Sequence, residues 1–219
     1  MNFDLILKFL KSLAKNNNRE WFEKHKPTYL EAKSAYEDFL ETFHKELLKF
    51  DEGLAGLNPR KQAFRIYRDV RFSKDKRPYK VNMGAGFSPG GKMMQDPGYY
   101  IHIEPGKSFL AAGLYQPDPA NLAKVRQEID YNSKAFLKII GDKKYKKFFN
   151  GLDDFDRVKT APKGYAKDHP QIEFLKNKSF VASHYFTDAE VKEKNFTKKV
   201  AEVARAIKPL NDFLKEAIA

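Results

Sequence analysis

The sequence contains no cysteine. That excludes disulfide scaffolds, thiolate zinc sites, iron–sulfur clusters and cysteine nucleophiles, and it is usage that a reducing compartment allows. No apolar run approaches the roughly 18 residues that a membrane span needs. No repeat, low-complexity tract or convincing linker divides the chain. His25, His169 and His184 show no metal-ligand spacing. Neither a metal nor a cofactor is therefore expected. What is abundant is hydrophobic and basic: 42% hydrophobic, 14% aromatic, and a net charge of +12 over 219 residues. The hydrophobic content is enough for a packed core, so the bulk of the chain is not disordered. The length fits one domain of ordinary to large size.

At the N-terminus Phe3, Ile6, Leu7, Leu10 and Leu13 recur at helical spacing. Asp4, Lys8 and Lys11 interrupt the run, and no small-residue cleavage site follows, so the segment reads as a docked helix of a cytoplasmic protein and not as a signal peptide. Asn18 can cap a second helix, and Pro27 divides a short element from a long one carrying the stripe Tyr36, Phe39, Leu40, Phe43, Leu47 and Phe50. Residues 62–72, 81–87, 98–104 and 108–115 are strand-like and follow one another without helices, which predicts an antiparallel meander. Helices return after Asp118-Pro119, after Asn132 and after His169-Pro170, with a further strand at 179–186. Thr187 with Glu190 forms a capping box for a last helix with Val200, Val203, Ala204 and Ile207 on one face, and Pro209 reads as a break in it. The expectation is an α+β fold in a single domain, 1–219. N-terminal helices occupy 1–58, a β-rich core 60–116 and a mainly helical part 117–219.

Lysine is scattered, as on a solvated surface, but arginine is not. Arg60, Arg65, Arg68, Arg71 and Arg77 are five of the nine arginines, and residues 60–80 carry +7 of the net charge. Arginine is suited to bidentate contact with phosphate or carboxylate. On a strand over 64–72, Arg65, Tyr67, Asp69 and Arg71 would share one face, with Arg68 on the apolar other. Two readings stay open: Asp69 neutralises its neighbours in a structural ion pair, or it orients an arginine toward an anion. Lys74, Lys76 and Lys80 would lie beside this face, and Asn17 and Arg19 could reach it.

The segment FRIYRDVRFSKDKRPYK (64–80) resembles the signature of an uncharacterised bacterial and fungal family catalogued as domain of unknown function 2461. NNNREWF (16–22), GYYIHIEPGKSFLAAGLYQP (98–117) and HPQIEFLKNKSFVASHYFTDAEV (169–191) match it in order. The resemblance covers almost the whole chain. It implies one soluble domain whose fingerprint includes the arginine segment, and it assigns no catalytic residue.

Glu104-Pro105-Gly106-Lys107 favours a tight turn, which pairs residues whose numbers sum to 211. Tyr99, Ile101, Ile103, Leu110, Ala112 and Leu114 then form an apolar face for helices. Tyr100, His102, Glu104, Phe109 and Tyr115 share the other, with small Ala111 and Gly113 between them. That face reads either as a shallow pocket or as a seat for a helix.

Other motifs fail on chemistry. Residues 86–92 match a phosphate-binding loop, but Met93 stands where Mg²⁺ needs a hydroxyl. Glu41-x-x-His44 has no second copy and reads as a helix-surface pair. Ser179 and Ser183 show no base partner in sequence. The expected function is binding of a small anionic ligand, phosphate- or carboxylate-bearing, by Arg65, Arg68, Arg71, Lys74, Lys76, Lys80, Asn17 and Arg19. If the protein is an enzyme, His102 or Asp69 would transfer protons without a metal, and Tyr100 or Tyr67 would donate a hydrogen bond. The alternatives are a nucleic-acid-binding module or a protein-interaction domain with a structural Arg/Asp network.

Overall fold

A computed structural model describes residues 2–91 and 96–219. Helix α1 (Phe3–Lys15) starts where the Asn2 side chain accepts from the Leu5 N–H, and its five stripe residues are all buried. Helix α2 (Arg19–Lys24) is capped by Asn18, whose Oδ1 accepts from the Trp21 N–H at 2.9 Å. Pro27 sits in the first turn of α3 (Lys26–Leu47), where a missing N–H costs nothing. Tyr36, Phe39, Leu40, Phe43 and Leu47 are buried.

Four strands, β1 (Met83–Phe87), β2 (Gly98–Ile103), β3 (Ser108–Leu114) and β4 (Phe180–Phe186), form one antiparallel sheet in the order β1-β2-β3-β4. The β2–β3 turn closes with Lys107 N–H donating to the Glu104 carbonyl at 3.0 Å, and Gly106 has φ +75°, as a type II turn requires. Tyr100 faces Ala111 and His102 faces Phe109. Tyr99, Ile101, Ile103, Leu110, Ala112 and Leu114 are buried on the opposite face.

The connection from β3 to β4 holds α4 (Pro119–Tyr131), capped by Asp118, then α5 (Ser133–Gly141), α6 (Lys143–Lys146) and α7 (Ile172–Leu175). His169 helps start α7 by accepting from the Gln171 N–H, while its other ring nitrogen meets Asp130 at 2.9 Å. After β4 come α8 (Asp188–Val191), with the Thr187 capping box, and α9 (Phe196–Ile218). Helix α9 packs on α3 and β3, so the helices cover one face of the meander. This is the α+β arrangement expected. Among the described residues no helix is long and apolar enough to cross a membrane.

Four local expectations need correction. Residues 62–72 are not a strand. Ala63 bridges Ala85, Tyr67 bridges Tyr79, and residues 69–77 leave the sheet as a loop in which Phe72 is 97% exposed. The alternation over 64–72 therefore meets isolated bridges in place of a partner strand, and of its apolar residues only Ile66 is buried in the core. The helix expected from Thr187 is two helices, because the chain turns at 192–195 and seats Phe196 against Phe3, Phe39 and Phe186. Pro209 lies inside α9 without ending it. Burial of Leu210, Phe213 and Leu214 beyond it, at about 1.5–3 kcal/mol each, outweighs the roughly 3 kcal/mol cost of the proline. His44 is buried, its Nε2 2.8 Å from the Leu54 carbonyl, and is not a surface group. Lys92 and Met93 of the rejected phosphate-loop match lie outside the described residues.

Candidate functional site

On the sheet face away from α9, aromatic rings alternate with very small residues. Strand β1 contributes Gly84 and Gly86, and β3 contributes Ala111 and Gly113. A Cβ on Gly84 would stand 2.5 Å from the Tyr100 hydroxyl, so glycine makes the notch that holds this ring. Gly113, at φ +128°, lies so close to β4 that a Cβ would meet the Phe180 carbonyl oxygen at 2.0 Å.

Both edges of the sheet are covered, as exposed strand edges require. On the β1 side the Phe64 N–H donates to the Gly84 carbonyl at 2.8 Å. On the β4 side the Asp153 N–H donates to the Val181 carbonyl at 2.8 Å. These two segments bring Phe64 to one end of the open face and Phe155 to the other. Between them lies a cavity of about 520 Å³. Tyr100, Phe109 and Tyr185 rise along it, and Ala111, Val181 and Ser183 line it. Tyr115 enters from the end of β3, beside Gln116, whose φ of +45° is the one left-handed non-glycine among the described residues. The Gln116 N–H donates to Ser179 Oγ at 3.0 Å, which holds that conformation.

Alternation on β2 carries a hydrogen-bonded chain. The Tyr100 hydroxyl lies 3.0 Å from His102 Nδ1, and His102 Nε2 lies 2.9 Å from Glu104 Oε2. Glu104 can only accept when ionised, so Nε2 carries the proton and Nδ1 accepts from the tyrosine O–H. Asn82 Nδ2 lies 3.3 Å from the same Nδ1. Burial pushes the His102 pKa below its ordinary value, with Glu104 opposing, which keeps the ring neutral. Burial, then the Glu104 charge, pushes the Tyr100 hydroxyl up to about 12. The order is that of a hydroxyl–imidazole–carboxylate triad with tyrosine as the hydroxyl. His102 can take the Tyr100 proton while Tyr100 takes one from a bound molecule, and Glu104 stabilises the imidazolium that forms. Across the cavity, Ser183 Oγ donates to Asp153 Oδ2 at 2.6 Å. Ser179 Oγ likewise donates to Asp156 at 2.9 Å, so both serines meet carboxylates that lie far from them in sequence.

The basic residues are arranged differently from a convergent anion site. Arg60 pairs with Glu37, Asp38 and Glu41. Arg71 pairs with Asp69 at 2.7 Å, and Arg68 and Arg77 share Asp75 at 2.8 and 2.7 Å. These contacts hold the Asp69 and Asp75 carboxyls below the usual range, through Arg71 and Arg77 first. Lys76 donates to the Val70 carbonyl at 3.0 Å. Asn17 makes two hydrogen bonds to the Tyr79 backbone and ties α2 to this segment. Asp69, Arg71, Lys74 and Lys76 do not line the cavity. Arg19 borders a shallow depression with Tyr67 and Arg68.

Arg65 and Lys80 stand apart. Neither forms an ion pair among the described residues. Lys80 lies 5.6 Å over the Phe64 ring, and its pKa is lowered by burial and then by neighbouring Arg65. Sequence reasoning thus named Tyr100 and His102 but missed Gly84, Asp153, Phe155, Ser183 and Tyr185, and left Glu104 without a role. The signal for Glu104 was present, since residues 100, 102 and 104 share a strand face. Among the described residues no three His, Asp or Glu side chains cluster as metal ligands do.

The profile of the family described as "Conserved hypothetical protein (DUF2461)" matches residues 5–213, and the chain belongs to that family. No curated protein and no solved structure matches it.

Proposed function

We propose that this member of the family binds a small organic molecule in the cavity on the open face of its sheet. Tyr100, His102 and Glu104 provide acid/base chemistry there without a metal. The observation that carries the reading is the hydrogen-bonded chain Tyr100–His102–Glu104, whose tyrosine lines an aromatic-walled cavity of ligand size. The anionic-ligand expectation narrows to Arg65 and Lys80 beside Phe64, because the other four arginines of the cluster have carboxylate partners. An acidic group on the ligand that reaches past Phe64 would meet those two cations, which flank the cavity without lining it.

The test is a thermal-shift panel of sugar phosphates, nucleotides, dicarboxylates and aromatic amines and acids, at fixed ionic strength. The variants are the wild type and Ala111→Phe, which fills the cavity floor without touching the buried face. Compounds that stabilise the wild type and not Ala111→Phe support the site. Compounds that stabilise both equally place binding elsewhere and refute it.

A second reading is single-stranded nucleic acid, favoured by aromatic side chains exposed on an open sheet face: Tyr115 by 49%, Phe155 by 61% and Tyr185 by 67%. It requires an affinity that falls steeply with salt, as a small ligand with one charged group does not, because the slope scales with the number of phosphates contacted. The third expectation, a structural Arg/Asp network, describes the paired arginines of the 69–77 loop and identifies no partner.

A further inference from the structure

We propose that the β4 end of this cavity holds a positively charged N-alkylated group, a methylated ammonium carried by a free small molecule or by a methylated lysine side chain. The inference rests on the cavity being a ligand site and names what it takes at that end.

The lining sets the charge preference. Six of its residues are aromatic, and among the described residues Asp153 is its only carboxylate and no Lys or Arg lines it. That is unusual in a chain with 41 basic and 29 acidic residues. The Asp153 side chain is fixed at both oxygens by Ser183, whose N–H donates to Oδ1 at 3.3 Å and whose hydroxyl donates to Oδ2. Both partners are neutral, and Asp153 forms no ion pair among the described residues. Its charge is therefore oriented but not compensated. A phosphate or carboxylate bound beside it would be repelled.

The rings set the chemical class. Tyr115 and Phe155 lie 6.3 Å apart at 32°, and Phe109 and Tyr185 lie 5.5 Å apart at 45°. Ring faces attract cations within about 6 Å of their centroids. A primary ammonium or a guanidinium brings several N–H donors that demand acceptors, and the Asp153 carboxylate already accepts two hydrogen bonds from Ser183. An N-methylated ammonium brings charge without that demand, and its methyl groups pack on the rings. Lys80 touches the wall only at the opposite end, over Phe64.

The experiment is a calorimetric titration with choline, glycine betaine and 3,3-dimethylbutan-1-ol, the neutral isostere of choline. A trimethyllysine peptide and its unmodified form complete the set. Choline is expected to bind at least about tenfold more tightly than the isostere, as a desolvated cation–π contact requires. Asp153→Asn and Phe155→Ala should abolish the preference, with folding checked by circular dichroism, while Arg71→Ala should leave it intact. Binding by choline or betaine identifies a free ligand, and binding by the modified peptide alone identifies a protein-borne one; either supports the chemistry. Equal binding of choline and its isostere overturns the inference. So does stabilisation only by the acids of the thermal-shift panel, which leaves the cavity as a ligand site. Failure of every probe in both the titration and that panel overturns both.

Discussion

Replacing Gly84 by alanine tests whether the Tyr100 hydroxyl sits where the proton-transfer chain needs it. The new Cβ would stand 2.5 Å from that hydroxyl and 3.1 Å from two ring carbons. Ordinary contact needs about 3.5 Å, so the tyrosine must move by about 1 Å. The ring is flanked by Phe64 at 6.1 Å, Phe109 at 5.7 Å and His102 at 5.9 Å, so its free path leads toward the cavity. A 1 Å shift, the order set by that overlap, breaks its 3.0 Å hydrogen bond to His102. The lost bond costs about 1 kcal/mol and the overpacking about 1–3 kcal/mol. Relief of glycine's backbone entropy returns about 0.5–1 kcal/mol. The net expectation is a destabilisation of about 1–3 kcal/mol, read from urea unfolding. In a Tyr100→Phe background the hydroxyl clash is absent, so the same substitution should cost about 1 kcal/mol less. Additive effects of the two substitutions would show that the hydroxyl does not occupy the notch. The acid/base assignment would then fail.

Three further outcomes are expected. The folded pKa of His102 lies below the roughly 6.5 of an unfolded chain, so between these values the unfolded state holds more protons. Stability should fall as pH drops from about 6.5 through that window, and His102→Gln should flatten this part of the urea-midpoint profile; an unchanged profile contradicts a buried neutral imidazole. Arg65→Ala should weaken acidic cavity ligands while Arg71→Ala does not, because Arg71 is held by Asp69; equal losses in calorimetry would return the anion site to the loop. Pro209→Ala should raise the melting temperature, by up to about 3 kcal/mol of stability, since it restores an N–H inside α9; a lower melting temperature would show that the proline ring packs productively.

The sequence was most legible where one local rule fixes the geometry. The Pro105-Gly106 turn sets the β2–β3 register, and with it the faces of Tyr100, His102 and Ala111. The Asn18 and Asp118 caps mark helix starts for the same reason. The 64–72 segment misled because alternation shows that a chain can be a strand, not that a partner exists. A local signal for the loop was available: Asp69-Val70-Arg71 and Asp75-Lys76-Arg77 repeat one spacing, and in each the carboxylate accepts from the backbone N–H and the guanidinium two residues on. Such a pair neutralises itself and needs no external anion. Asp153 and Ser183 were illegible because they meet only through the covered edge of β4, thirty residues apart. Phe64 and Phe155 likewise become walls of one cavity only when both sheet edges are in place.

The most direct measurement maps ligand-induced NMR shifts on the Ala111 methyl and the aromatic side chains, using any compound that stabilises the protein. Shifts centred on Ala111, Tyr100 and Tyr115, absent in Ala111→Phe, are what a ligand site on the open face predicts. Shifts centred on Tyr67, Phe72 and Tyr79, the rings beside Arg68 and Arg71, with Ala111 unmoved would contradict it.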